Sequence, residues 1–137
     1  MSKREYVCDE EVIEVLKENG VCKPYAIAER LFNFAVEVIK ATRTLPRTKE
    51  YSVITYQLVK SASSIGANYE EAQGSVSRAD FSNKIGICLK ECRETAYWIR
   101  LIIAILEENE TWKTLKREAS ELQNILGSIY SKVSKRR

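Results

Sequence analysis

Apolar residues recur along most of this chain at alternating spacings of three and four, the repeat that places side chains on one face of an α-helix. In a short first stretch, Asp9 to Asn19, Val12, Ile13 and Leu16 share a face, Asp9 stands where an N-cap belongs and Gly20 where a helix stops. Pro24 suits the first turn of a second helix, which the pattern carries to about Leu45 through Ala28, Leu31, Ala35, Val38, Thr42 and Leu45. Further apolar lines flank that seam: Ile27, Phe34 and Ala41 on one side, Phe32, Val36 and Ile39 on the other. Only Arg30, Asn33, Glu37 and Lys40 make a continuous polar stripe. Pro46 interrupts, Thr48 caps the next helix, and Ile54, Leu58, Ser61 or Ala62, Ile65, Tyr69 and Ala72 keep the rhythm until Gly74. Ser77 and Asp80 resemble a capping box. The helix behind them runs through Phe81, Ile85, Cys88, Cys92, Ala96, Ile99, Ile102 or Ile103, and Leu106. After a polar turn, Glu107 to Thr111, a last helix repeats the spacing through Trp112, Leu115, Ala119, Leu122, Leu126, Ile129 and Val133.

Four long helices joined by short connections predict an all-α fold, an antiparallel up-down-up-down four-helix bundle with a short extra N-terminal helix. The expected division is an acidic leader over residues 1–22 and a bundle domain over 23–137. The stretch SASSIGANYEEAQG, Ser61 to Gly74, is rich in poor helix formers yet stays in register. Ala62 and Gly66, four apart, are expected to let a neighbouring helix approach closely. Asn68 and Glu71 are expected to tie the helix end to the following loop. The run AYWIRLIIAIL is apolar almost all round, more than one inner face of a bundle can bury. It predicts a subunit interface, with Tyr97, Trp98, Leu101 and Ile102 as contacts.

Composition fits long helices, with Gly at 5 and Pro at 2. The strongest apolar run, Ile99 to Leu106, contains Arg100 and falls far short of the ~20 residues that span a bilayer. The N-terminus, MSKREYVCDEE, turns acidic where a signal peptide would be apolar. The expectation is a cytoplasmic protein with no membrane partner and with reduced thiols. Residues 1–22 hold three basic and six acidic side chains, net −3, which leaves +6 on the rest of a chain whose total is +3. Alternating helix directions would gather Lys23, Arg78, Lys132, Lys135, Arg136 and Arg137 at one end of the bundle. Arg43, Arg47, Lys49, Lys113, Lys116 and Arg117 would gather at the other, partly offset by Glu107, Glu108 and Glu110. A solvated surface of mixed charge accounts for these residues as well as a polyanion site does.

Catalytic chemistry is sparse. No histidine is present, which removes the commonest general base, the triads built on it and most catalytic zinc sites. No glycine-rich phosphate loop of a known kind occurs. Cys88 and Cys92 share a helix face and would need Cys8 and Cys22 to complete a zinc site, but they lie on the apolar seam, where free cysteine packs as a small hydrophobe. Glu70, Glu71, Glu91 and Glu94 read as a salt-bridged helix surface. The expectation is no enzyme, no cofactor and no metal.

The run SIGANYEEAQGSVSRADFSNKIGICLKECRETAYWIRL resembles the four-helix-bundle proteins encoded in intervening sequences of bacterial 23S ribosomal RNA genes. Ser64, Ile65, Gly66, Asn68, Glu71 and Ala72 match that family's helix-end pattern, and Phe81, Glu91, Glu94 and Thr95 match the helix that follows. Many relatives have proline where Gly66 stands and more arginines in the loop that here keeps Arg78. The leader has no counterpart. The resemblance implies a bacterial homo-oligomer, a ring-like pentamer. A more distant resemblance, to accessory proteins of diversity-generating retroelements, implies partners such as RNA, a ribonucleoprotein or a reverse transcriptase. The expected function is a non-enzymatic oligomer that binds RNA or a ribonucleoprotein. The alternative is an adaptor oligomer that binds a protein such as a reverse transcriptase, with no nucleic-acid affinity of its own.

Overall fold

A computed structural model describes residues 10–20 and 24–135. Among them are five helices and no strand: α1 (Glu10–Glu18), α2 (Pro24–Thr42), α3 (Lys49–Ala72), α4 (Arg78–Ile105) and α5 (Glu110–Val133). Asp9, the expected cap of α1, lies outside the described residues, as do Cys8, Cys22, Lys23, Arg136 and Arg137.

The long helices start and stop where local chemistry directs. Thr48 caps α3, its hydroxyl accepting from the Tyr51 N–H at 3.4 Å. Ser77 caps α4 by accepting from the Asp80 N–H at 3.1 Å, while the Asp80 carboxylate reaches back to the Val76 N–H at 3.3 Å. The box is therefore closed one residue earlier than the usual version. Asn109, at the N-cap of α5, makes no cap bond; its amide instead donates to the Ile103 and Leu106 carbonyls and ties off the end of α4. Gly20 has φ +77°, the left-handed conformation that ends α1. Gly74 follows α3 without that conformation.

Each long helix runs antiparallel to the next. Thr95 of α4 donates to Ser61 of α3 at 2.9 Å, and Lys84 meets Glu71 at 3.1 Å, so residue numbers fall on one helix as they rise on the other. α3 packs on α4, α4 on α5, and α2 on both α3 and α5, which closes a four-membered ring of helices, while α1 packs on α5. The core runs the length of the bundle through Leu31, Val38, Leu58, Ile65, Ile85, Cys88, Ile99, Leu122 and Ile129. Among the described residues Ser61 and Thr95 are its two buried polar side chains, and the relay in which Thr95 donates to Ser61 and Ser61 donates to the Leu58 carbonyl at 3.2 Å satisfies both.

Two predicted faces shift. On α1 the buried residues are Val12, Val15 and Leu16, with Ile13 at the margin. On α2 the core line is Ile27, Ala28, Leu31, Phe34, Val38 and Ala41, with Leu45 buried just beyond the helix, while Ala35 and Thr42 are only half-buried. The helix is apolar on several sides, so which side is innermost depends on where α3 and α5 stand. The close approach at Gly66 is to α2. A methyl group there would lie 3.5 Å from Leu31 Cβ and 3.8 Å from the Phe32 nitrogen, ordinary contact distances. Asn68 does not reach the following loop: its amide bonds back to the Ser64 carbonyl at 2.8 Å inside α3. Glu71 secures the helix end through Lys84 of α4.

Candidate nucleic-acid interface

The connection from α2 to α3 carries Arg43, Arg47 and Lys49 within six residues of one another on either side of Pro46. The three line one concavity of 590 Å³, together with Thr48 and Tyr51. All three are exposed, and none has an ion-pair partner among the described residues. Cations in that state keep their full field for a ligand, because no carboxylate cancels it. The remaining cations expected at this end lie in the first two turns of α5 and are engaged there. Lys113 pairs with Glu110 at 3.6 Å, Lys116 donates to Ser120 at 2.9 Å and Arg117 donates to Thr114 at 3.0 Å. Arg117 also borders a 650 Å³ groove between α2 and α5 whose carboxylates are Glu29, Glu37, Glu118 and Glu121. That groove repels a polyanion.

Its central feature is Arg30, which periodicity placed in a plain polar stripe. Arg30 Nε donates to Glu118 at 2.8 Å, and its Nη2 donates to Glu118 at 2.5 Å and to Glu121 as well. The Glu118 bonds hold the guanidinium protonated beyond even its usual range, against the opposing effect of burial, with Glu121 adding to them. Nothing in α2 alone announces this contact. The acidic partners lie 88 and 91 residues away.

At the opposite end, Arg78 donates to Glu11 at 2.7 Å and to the Lys132 carbonyl at 2.9 Å. The structure thus brings Arg78 and Lys132 together, with Lys135 exposed in the segment just beyond α5. It also adds a carboxylate from α1 that sequence reasoning did not place there.

The expected interface residues divide. Ile102 is 0 % exposed and belongs to the core of the single chain, so it is not available to a second copy. The rotation of α4 against α3 and α5 turns that position inward. Trp98 packs partly into the core, with its ring edge-on to Tyr97 at 5.2 Å, and its indole N–H is buried with no acceptor among the described residues. Leu101 is half-buried. Tyr97 and Ile105 are each 51 % exposed, and α3 adds exposed Val53 and Tyr56. Val53, Tyr56 and Ile105 were legible as apolar residues lying off the seam.

Of the other pattern residues, Ser64 bonds back to the Lys60 carbonyl at 2.7 Å, Phe81 is buried in the core, and Glu94 is exposed. Burial and the neighbouring Glu94 raise the Glu91 carboxyl above its ordinary value. Burial pushes the Cys88 and Cys92 thiols up to about 12, and Cys92 donates to the Ala119 carbonyl at 3.4 Å. Such thiols are inert at neutral pH. Among the described residues, no three side chains of the metal-ligating types come together, and no helix is long and apolar enough to cross a membrane.

Comparison with known proteins agrees with this architecture and with the pattern residues. No curated protein matches the chain. A crystal structure of a protein of unknown function from the S23 ribosomal protein family of Bacteroides thetaiotaomicron is similar to it. The two share 34 % identity with a TM-score of 0.70, over 77 % of this chain and 96 % of that one. Neither that description nor the matching family names an enzymatic activity. The family profile of the 23S rRNA-intervening sequence protein matches residues 23–128, all but the first helix and the end of the last, and the chain belongs to that family.

Proposed function

We propose that the chain is a non-enzymatic homo-oligomer that binds RNA or a ribonucleoprotein through its basic surfaces. The observation that carries this reading is the concavity lined by Arg43, Arg47 and Lys49, three exposed cations without ion-pair partners among the described residues. Three such residues give only weak binding by themselves. Repetition in a ring, of the five copies that the resemblance implies, would turn weak contacts into avidity. The exposed Tyr97 and Ile105 of α4 and the exposed Val53 and Tyr56 of α3 supply apolar surface suited to subunit contact.

The same apolar surface favours a second reading. An adaptor oligomer would use it for a protein partner, such as a reverse transcriptase, and would have no affinity for nucleic acid. Titration of a single-stranded RNA against salt separates the two. RNA binding predicts an affinity that falls as salt rises, with a slope of about 0.7 per phosphate contact. Replacing Arg43, Arg47 and Lys49 together by Gln should weaken binding at low salt and flatten that slope. An intact protein with no RNA affinity at low salt supports the adaptor.

A further inference from the structure

The helix α1 lies outside the matched family region, which begins at residue 23, yet it is built into the molecule. Val12, Val15 and Leu16 are each 3 % exposed or less and join the main core, on the side where α1 meets α5. Its polar residues are four carboxylates, Glu10, Glu11, Glu14 and Glu18, against one lysine, Lys17, with Asn19 following the helix. They are not spread evenly. Glu11 and Glu18 are seven apart, two helical turns, and share one flank of the buried stripe. Glu11 is bonded to Arg78 at 2.7 Å, and that arginine also holds the Lys132 carbonyl. Glu18 borders a 580 Å³ groove whose other walls include Leu89, Arg93, Gly127 and Lys132. Glu10 and Glu14 are exposed and point away from the buried stripe.

On this flank Glu11 is paired with Arg78, and Glu18 shares its groove with Arg93 of mid-α4 and with Lys132, cations whose field a polyanion on this side of the bundle would meet. We propose that α1 is an autoinhibitory strap. Its Glu11 carboxylate pairs with Arg78 of α4 and its exposed Glu18 stands at the groove lined by Arg93 and Lys132, so that RNA reaches this side only against their negative charge. The inference rests on the RNA-binding reading above and adds its regulation. Attraction to the basic end and burial of Val12, Val15 and Leu16 hold the strap down together. Weakening the charge contacts alone should then uncover positive field on this side without unfolding the bundle.

The test compares two full-length variants that change the charge of the same helix by the same amount. Glu11→Gln with Glu18→Gln removes the flank facing the cations. Glu10→Gln with Glu14→Gln removes the solvent-facing pair. Binding of a fluorescein-labelled single-stranded RNA is measured across a salt series for both and for the unaltered protein. The expected result is tighter binding by the Glu11/Glu18 variant and a salt slope steeper by about 0.7 per freed cation. The Glu10/Glu14 variant should stay close to the unaltered protein. Equal shifts in the two variants, or none in either while the unaltered protein binds, overturn the strap and leave the RNA-binding reading standing. Absence of binding in all three at low salt overturns that reading and the strap with it.

Discussion

Gly66 and Gly86 both sit inside long helices, where glycine costs roughly 1 kcal/mol against alanine. A methyl group at Gly66 would meet Leu31 at an ordinary 3.5 Å, whereas at Gly86 it would meet the Tyr130 ring at 3.0 Å. Gly66→Ala should therefore raise stability by about 0.5–1 kcal/mol in denaturant unfolding. Gly86→Ala should gain less, because the ring must move. The two buried thiols give a pH dependence. Their ionisation is shifted from 9.0 to about 12 by burial, so the unfolded chain releases these protons first as pH rises. The stability they contribute is whole below about pH 9 and is lost between there and pH 12. Unfolding of the unaltered protein should thus lose stability across that window faster than unfolding of the Cys88→Ala, Cys92→Ala variant. Burial of these cysteines was legible from their place on the seam. The Ser61–Thr95 bond was not, because periodicity assigns faces and says nothing of which hydroxyl opposes which across a helix pair.

Helix identity and order were legible in the sequence because each start carries its own signal: Thr48, Ser77 and the prolines mark boundaries that the structure keeps to within a few residues. Facing was legible only where the apolar stripe is narrow. The stripes of α3 and α5 fall where spacing puts them, while that of α2, apolar on several sides, is set by its neighbours. The Arg30 fork is the strongest polar contact between α2 and α5, the pair with the least contact around the ring of long helices. Arg30→Met should cost about 1–2 kcal/mol, since the pair is partly exposed and its hydrogen bonds are charge-assisted. Hydrogen exchange should localise the loss to α2. Uniform exchange along all four long helices would mean that the fork does not govern this seam.

At the scale of the whole molecule, the candidate site was only partly legible. Counting charges places six cations at each end of a bundle, but the structure distinguishes Arg43, Arg47 and Lys49, without ion-pair partners among the described residues, from Lys113, Lys116 and Arg117, which are engaged within α5. It also sets Glu11 against Arg78, a pairing 67 residues apart that composition cannot reveal. The exposed apolar residues of α3 and α4 belong to the same scale. If they form the subunit contact, Tyr97→Lys with Ile105→Lys should reduce the mass in solution toward the 15.7 kDa of one chain while leaving helicity unchanged. The central claim, an oligomer that binds RNA through basic surfaces, is tested most directly by sedimentation velocity of the protein with labelled single-stranded RNA at low salt. The account predicts one species heavier than the 15.7 kDa chain that carries the RNA and releases it as salt rises. An intact oligomer that sediments without the RNA at low salt would contradict it.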